Sequence, residues 1–219
     1  MGPRMDILTV PFDPERATHD EWRRFHAYRR LRNREMEPDD PISADRTVEE
    51  SMSRPNPQWT ELHFAVLDPE RPDAQIGEMN FEIARPGSPS YESNRHIAWA
   101  WIYLLQAHRG RGLGSRLLPA IAELAREHGQ TILQGWCEEA AGKAFAEHIG
   151  ARVTQYRQEN RLRFEDVDWK MVEQWAAEGP ARNPDTELRW LGGGSEDGVR
   201  VAFCEPRTDV FDEQPCGKG

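Results

Sequence analysis

Between positions 109 and 115 the chain reads Arg109, Gly110, Arg111, Gly112, Leu113, Gly114 and Ser115. Glycines at every second position, set among arginines and closed by a serine, suit one task, which is holding an anion. They follow an apolar run and precede a helical pattern, so the turn opens a helix. The first N–H groups of a helix have no intrahelical acceptor, and the aligned peptide dipoles leave partial positive charge there. Glycine lets a phosphate approach that backbone because no Cβ blocks it. Arg109, Arg111 and Arg116 add charge, and Ser115 adds a hydroxyl. The chemistry is recognition of a pyrophosphate. A Walker loop requires Gly-Lys followed by Ser or Thr, which is absent here. A dinucleotide fingerprint requires Gly-x-Gly-x-x-Gly in the first strand–helix unit, with an acidic residue about 20 positions on. Here the spacing is Gly-x-Gly-x-Gly, and many other elements precede it.

Those elements must place the turn. Residues 97–105 are apolar on both faces, which fits a central strand leading into it. Before that strand, a short strand is expected over 6–12, broken by Pro11 and Pro14. A helix capped by Thr18 or Asp20 runs to about Arg34, with Trp22, Phe25, Tyr28 or Arg29, and Leu31 or Arg32 on one face. The segment Glu37, Pro38, Asp39, Asp40, Pro41 cannot continue it. A second helix is expected over 46–53, capped by Asp45. Strands follow over 62–67 and 75–84, joined by a hairpin loop with Pro69 and Pro72, and 84–94 reads as a loop. After the turn, a helix runs to about His128 with Leu113, Leu117, Ile121 and Leu124 on one side. Then come a strand over 132–136, a helix over 140–148 stopped by Gly150, and a long strand over 152–164. A meander followed by crossovers predicts an α/β (α+β mixed) fold around a mixed sheet.

The string from His108 to Leu118, and within it Arg109-x-x-Gly112-x-Gly114, resembles the acyl-CoA pyrophosphate motif, Arg/Gln-x-x-Gly-x-Gly/Ala, of the GNAT superfamily of N-acetyltransferases. The order of elements agrees over about residues 5–165. The resemblance implies the GNAT fold: a central, mostly antiparallel, twisted sheet with a splayed strand pair, flanked by helices. It implies acetyl-CoA as the cofactor and transfer of its acetyl (acyl) group to a primary amine of a small molecule or peptide. By position, Leu104 and Leu105 offer backbone to the pantetheine arm. The segment Arg109, Gly110, Arg111, Gly112, Leu113, Gly114 and Ser115 then holds the pyrophosphate. The family's usual Val-x-Pro before the Arg is replaced by Leu104-Leu105-Gln106, which changes the turn but not the backbone chemistry.

Two departures bear on catalysis. The family often carries a general-base Glu in the strand before the motif; the matching position falls near Ala98, and the strand has no carboxylate. It also often has a Tyr acid just after a Phe on the last helix; here Phe145 is followed by Ala146. The base then comes from elsewhere: His96 at the start of the strand, with an imidazole of suitable pKa, or Glu78 or Glu82 on the preceding strand through water. Alternatively, positioning and solvent suffice, or the domain is a non-catalytic acyl-CoA-binding or regulatory module. Transfer of a longer acyl chain is a further alternative. In GNAT folds the loop between the first two helices lines the acceptor site. Here it holds Glu37, Asp39 and Asp40, which favour a cationic amine. Trp99 and Trp101 on the central strand are placed to wall the acceptor channel.

The formal net charge is −10, which argues against a nucleic-acid footprint and leaves cationic partners open. Cys137, Cys204 and Cys216 form no disulfide framework and no metal-ligand spacing, so a reducing, cytoplasmic setting without a metal is expected. No apolar run is long enough to span a membrane. A homodimer is compatible with all of this. Two domains are expected: 1–165, the acyltransferase domain, and 166–219, a linker helix over 167–177 plus a tail. A strand over 187–191 either begins a second, partial domain, as in bacterial tandem-GNAT proteins, or completes the first domain's sheet.

Overall fold

The computed structural model describes residues 8–182 and Pro184. Its first elements are β1 (Leu8–Phe12), α1 (His19–Met36) and α2 (Asp45–Met52), followed by β2 (Trp59–Leu67), β3 (Gln75–Ala84) and a short α3 (Tyr91–Asn94). Then come β4 (Ile97–Leu104), α4 (Leu113–Glu127), β5 (Ile132–Gln134), α5 (Ala140–His148) and α6 (Trp169–Arg182). The strands form one sheet in the order β1-β2-β3-β4-β5. The first three pairings are antiparallel and β4–β5 is parallel, so the sheet is mixed and mostly antiparallel, as the element order predicts.

Local sequence accounts for the boundaries. The Thr18 hydroxyl accepts from the Glu21 N–H while the Glu21 carboxylate accepts from the Thr18 N–H, a reciprocal cap that fixes where α1 begins. Asp45 does not cap α2 as expected. Its carboxylate pairs instead with Arg29 at 2.8 Å and with Arg30, and two guanidinium partners on α1 outweigh one capping amide. This pairing, with His26 Nε2 2.9 Å from Glu49, bolts α2 to α1.

The sheet buries a different set of residues on each face. On one face Met79, Phe81, Ala98 and Ala100 pack against Leu113, Leu117 and Ile121 of α4, whose three-to-four spacing puts them on one stripe. Burial of each of the large side chains, Met79, Phe81, Leu113, Leu117 and Ile121, stabilises the fold by roughly 1.5–3 kcal/mol. Towards α1, Phe12, Phe25, Tyr28 and Leu105 form a second cluster.

The chain divides into two compact units, Met1–Thr154 and Gln155–Gly219. In the second, the described residues hold a 3-10 turn (Phe164–Asp166) and α6. Asp168 caps α6 through the Met171 N–H at 3.0 Å, and Phe164 stacks on Trp169. The strand expected over 152–164 is not formed: residues 151–163 carry no regular structure. Val153, Tyr156 and Leu162 are 58%, 84% and 72% exposed. Alternation makes a strand only where a neighbouring ladder takes the backbone and buries one face. The start of the 6–12 strand, the 187–191 strand, Cys204 and Cys216 lie outside the described residues.

Candidate functional site

The site begins where two strands part. β5 pairs with β4 only from Ile97↔Ile132 to Trp99↔Gln134, yet β4 continues to Leu104. At the apex Gly135 lies so close to β4 that an added Cβ would stand 2.5 Å from the Ala100 carbonyl oxygen. Beyond it the chain leaves, and a gap about 13 Å long opens beside residues 100–104, taking ~3.3 Å per residue.

The antiparallel ladder determines which backbone groups face that gap. The Leu105 N–H donates to the Ile76 carbonyl at 2.9 Å, so Leu105 turns its amide to β3. Hydrogen-bonded and outward-facing residues alternate along a strand. Ile102 and Leu104 therefore turn their backbone groups into the gap. Ile102 was not singled out in the sequence, although its place two residues before Leu104 on a period of two carries that signal.

The turn closes the wide end of the gap. Gly112 is the N-cap of α4 at φ 74°, a left-handed conformation that L side chains rarely adopt. The helix begins at Leu113, and its first carbonyl acceptor, Gly112, is taken by Arg116 N at 3.3 Å. The amides of Leu113, Gly114 and Ser115 are thus first-turn donors without an intrahelical acceptor. Gly114 has a packing role: an added Cβ would stand 3.2 Å from the Phe145 ring of α5. Arg111 donates to the Ala107 carbonyl at 2.9 Å and is exposed. A cleft of about 290 Å³ separates this turn from the β2–β3 hairpin loop, lined by Asp68, Arg71, Ile76, His108, Arg111 and Leu113. Asp68 orders that loop. It accepts from the Glu70 N–H, which holds its carboxyl below the usual range, and from Arg71.

Arg109 makes its contacts with the end of β4 and the start of α5. Its Nε donates to the Leu104 carbonyl at 2.7 Å, its Nη1 pairs with Glu139 just before α5, and its guanidinium lies 5.0 Å above the Tyr103 ring. On the other side of Tyr103, Glu35 of α1 accepts from the Tyr103 hydroxyl at 2.9 Å and from the Gln106 N–H at 3.0 Å. Burial, and then that carboxylate, push the Tyr103 hydroxyl pKa up. Neither Glu35 nor Glu139 is legible as a partner in the sequence, because each meets its partner only through the fold.

The sheet face away from α4 carries the ionisable groups. Register sets Glu61, Glu82 and Trp99 side by side on β2, β3 and β4, then His63, Asn80 and Trp101, then Ala65, Glu78 and Tyr103. Glu82 is half-buried, and burial together with the neighbouring Glu61 carboxylate pushes its pKa up to about 7. It lies across from Trp99, on the face opposite to Ala98, whose side chain packs against α4. Trp99 stacks on Trp136, centroids 5.6 Å apart, at the apex of the gap. His63 joins Asn80 Oδ1 at 2.8 Å and stands 3.6 Å from Glu61.

The other expected residues are spread out. Glu78 is buried and salt-bridged to Arg32 at 3.3 Å; burial raises its pKa. His96 is exposed at the start of β4, its carbonyl accepting from Thr131 and Ile132. That is roughly 26 Å of strand from Leu104. Glu37, Asp39 and Asp40 follow Glu35, whose anchoring at Tyr103 and Gln106 puts the acidic loop near the Leu104 end of β4. Among the described residues no group of three or more His, Cys, Asp and Glu could hold a metal, and no helix is long and apolar enough to cross a membrane.

Several comparisons bear on this geometry. The tandem GNAT protein from the clavulanic acid biosynthesis pathway is 20% identical with a TM-score of 0.51, over 66% of this chain and 43% of that one. The aligned part is thus under half of the tandem protein's length. An acetyltransferase of Trypanosoma brucei is 15% identical with a TM-score of 0.50, over 72% of this chain and 100% of that one. Likenesses at this identity speak for the fold. No curated protein sequence matches significantly. The profile of the acetyltransferase (GNAT) family matches residues 25–150. That stretch runs from α1 through the parted strands, the turn and α5, and the chain belongs to the acetyltransferase (GNAT) family.

Proposed function

We propose that this chain is an N-acetyltransferase that moves an acetyl group from acetyl-CoA to a primary amine, with Glu82 as the base. What carries the proposal is β4, which outruns its parallel partner and leads through residues 105–112 to the N-terminus of α4. The unpaired edge offers the N–H and C=O of Ile102 and the N–H of Leu104 to an extended, amide-bearing arm. The amides of Leu113, Gly114 and Ser115, reached through the open turn at Gly110 and Gly112, suit a pyrophosphate. Acetyl-CoA, when bound, supplies an acetyl group activated as a thioester.

The acceptor side is read from the opposite face. Trp99 and Trp136 give an aromatic wall at the apex, and Glu61 and Glu82 give it negative charge. A pKa of about 7 suits Glu82 to take the proton of an ammonium group near neutral pH. Trp101 and the loop residues Glu37, Asp39 and Asp40 extend the acidic, aromatic surroundings, so a cationic small-molecule or peptide amine is the acceptor class. The transferase domain is read as residues 1–165, of which Met1–Thr154 make up the first compact unit, and the setting as cytoplasmic.

The test is thiol release from acetyl-CoA with a panel of amines, beside thermal melts with CoA. Turnover with a cationic amine is expected. Stabilisation by CoA without turnover on any amine would make the chain an acyl-CoA-binding module, a reading that Ala146 in place of the usual acid favours. Turnover that grows with acyl-chain length would favour a longer-chain donor. No stabilisation by CoA would sink all three.

A further inference from the structure

Arg109 is the first residue of the pyrophosphate motif, yet its guanidinium is committed elsewhere. We infer that Arg109 and Glu139 form a strut that fixes the width of the gap beside β4, so that Arg109 serves the donor's pantetheine arm through Leu104 and not its phosphates through charge. The inference rests on reading the gap as the donor site.

Three contacts define the strut. Nε donates to the Leu104 carbonyl at 2.7 Å, the last acceptor on the unpaired edge of β4. Nη1 of the same rigid plane pairs with the Glu139 carboxylate. The Tyr103 ring lies beneath at 5.0 Å and limits where the plane can rotate. Glu139 is the residue at which the chain, having left β5, starts α5. The guanidinium therefore reaches from the end of one wall of the gap to the start of the other. Its side chain is 23% exposed and that of Glu139 is 33% exposed, so the pair is partly shielded from water and salt. α5 has a second anchor, Phe145 beyond its midpoint, whose ring lies against Gly114 in the first turn of α4. Arg111 is exposed, and among the described residues its one hydrogen bond runs through Nη2 to the Ala107 carbonyl, leaving its other donors for solvent or a phosphate.

A strut and a phosphate ligand differ in which donors they affect. The experiment compares acetyl-CoA with S-acetylpantetheine, which carries the same arm and thioester but no phosphate, using the full chain. For a strut, Glu139→Gln and Arg109→Lys raise KM for both donors by a similar factor, on the order of tenfold. Glu139→Asp keeps the carboxylate and recovers part of the loss. The double exchange Arg109→Glu with Glu139→Arg recovers part of it for both donors, and thermal melts confirm that each variant is folded. A rise confined to acetyl-CoA in Arg109→Lys, with tighter acetyl-CoA binding in Glu139→Gln, would overturn the strut and make Glu139 a competitor of phosphate. Unchanged KM values in folded variants would also overturn it. If the unaltered chain binds neither donor, the reading of the gap as donor site fails with it.

Discussion

The two halves of β4 are written in the same alphabet. Ile97, Ala98 and Trp99 are aliphatic or aromatic, and so are Ala100, Trp101, Ile102 and Tyr103. Yet Ala98 and Trp99 of the first half are paired on both sides, and the second half only with β3. The difference therefore does not originate in β4. It comes from the neighbour: β5 is three residues long, Gly135 lets it touch β4 once more at Ala100, and the chain then departs towards Glu139. A closed half-strand is structural. An open one exposes a row of unpaired polar groups, which is a liability at a sheet edge and becomes a binding surface where an amide-bearing arm can lie along it.

The largest expected effect tests what the two halves do together. Glu82 faces Trp99, at the border between them. Glu82→Gln lowers kcat/KM by about 100- to 1,000-fold, within the range of general-base catalysis, and leaves CoA affinity unchanged. The unaltered enzyme shows a rise in kcat/KM through about pH 7 that the variant lacks. An intact rise in the variant would assign that limb to another group. Next, Gly112→Val places a β-branched residue at φ 74° and distorts the turn at the end of the open half. CoA binding, measured by calorimetry, weakens by about 100-fold as the first-turn amides lose their alignment. Retained affinity would detach the pyrophosphate from this turn.

Smaller effects refine the comparison. Gly135→Ala drives a methyl against the Ala100 carbonyl and forces the apex apart. Overpacking of this kind costs about 1–3 kcal/mol, read as a lower Tm, and donor KM rises because the gap widens where it should close. Linkage gives a signature of Glu82. Its folded pKa lies above the unfolded value of 4.5, at about 7, so the folded state holds the proton more tightly. That contribution is complete below about pH 4.5 and is lost as pH rises through about 7. Buried Glu78 shifts in the same direction. Glu82→Gln should flatten denaturant midpoints over this window, and an unchanged slope would assign it to Glu78. Smallest of all, Thr18→Ala removes the cap of α1 and costs about 1 kcal/mol of stability with no change in CoA affinity.

What the sequence discloses follows the range of each interaction. The turn, the apolar stripe of α4 and the cap at Thr18 are local, and residue type with spacing is enough to read them. The mixed sheet follows from element order. Glu82 is one of three candidate bases in the sequence and nothing local singles it out: its place opposite Trp99 follows from β3–β4 register, and its neighbour Glu61 from β2–β3 register. Leu104 is legible by resemblance, whereas the direction of its amide, and of the Leu105 amide towards Ile76, is a property of the ladder. Arg109 is legible as a motif residue, but its partner Glu139 stands thirty positions away and is brought to it by α5. The alternation over 152–164 is real in the sequence and forms no strand, because periodicity specifies a face and not a neighbour.

Amide hydrogen exchange on the full chain, with and without acetyl-CoA, reads the open half of β4 directly. Ile102 and Leu104, together with Leu113, Gly114 and Ser115, should gain protection when acetyl-CoA is added. Leu105, already bonded to Ile76, and the doubly paired Ala98 should change little. Acetyl-CoA binding that leaves Ile102 and Leu104 exchanging at their original rates would contradict the claim that the open edge of β4 is where the donor lies.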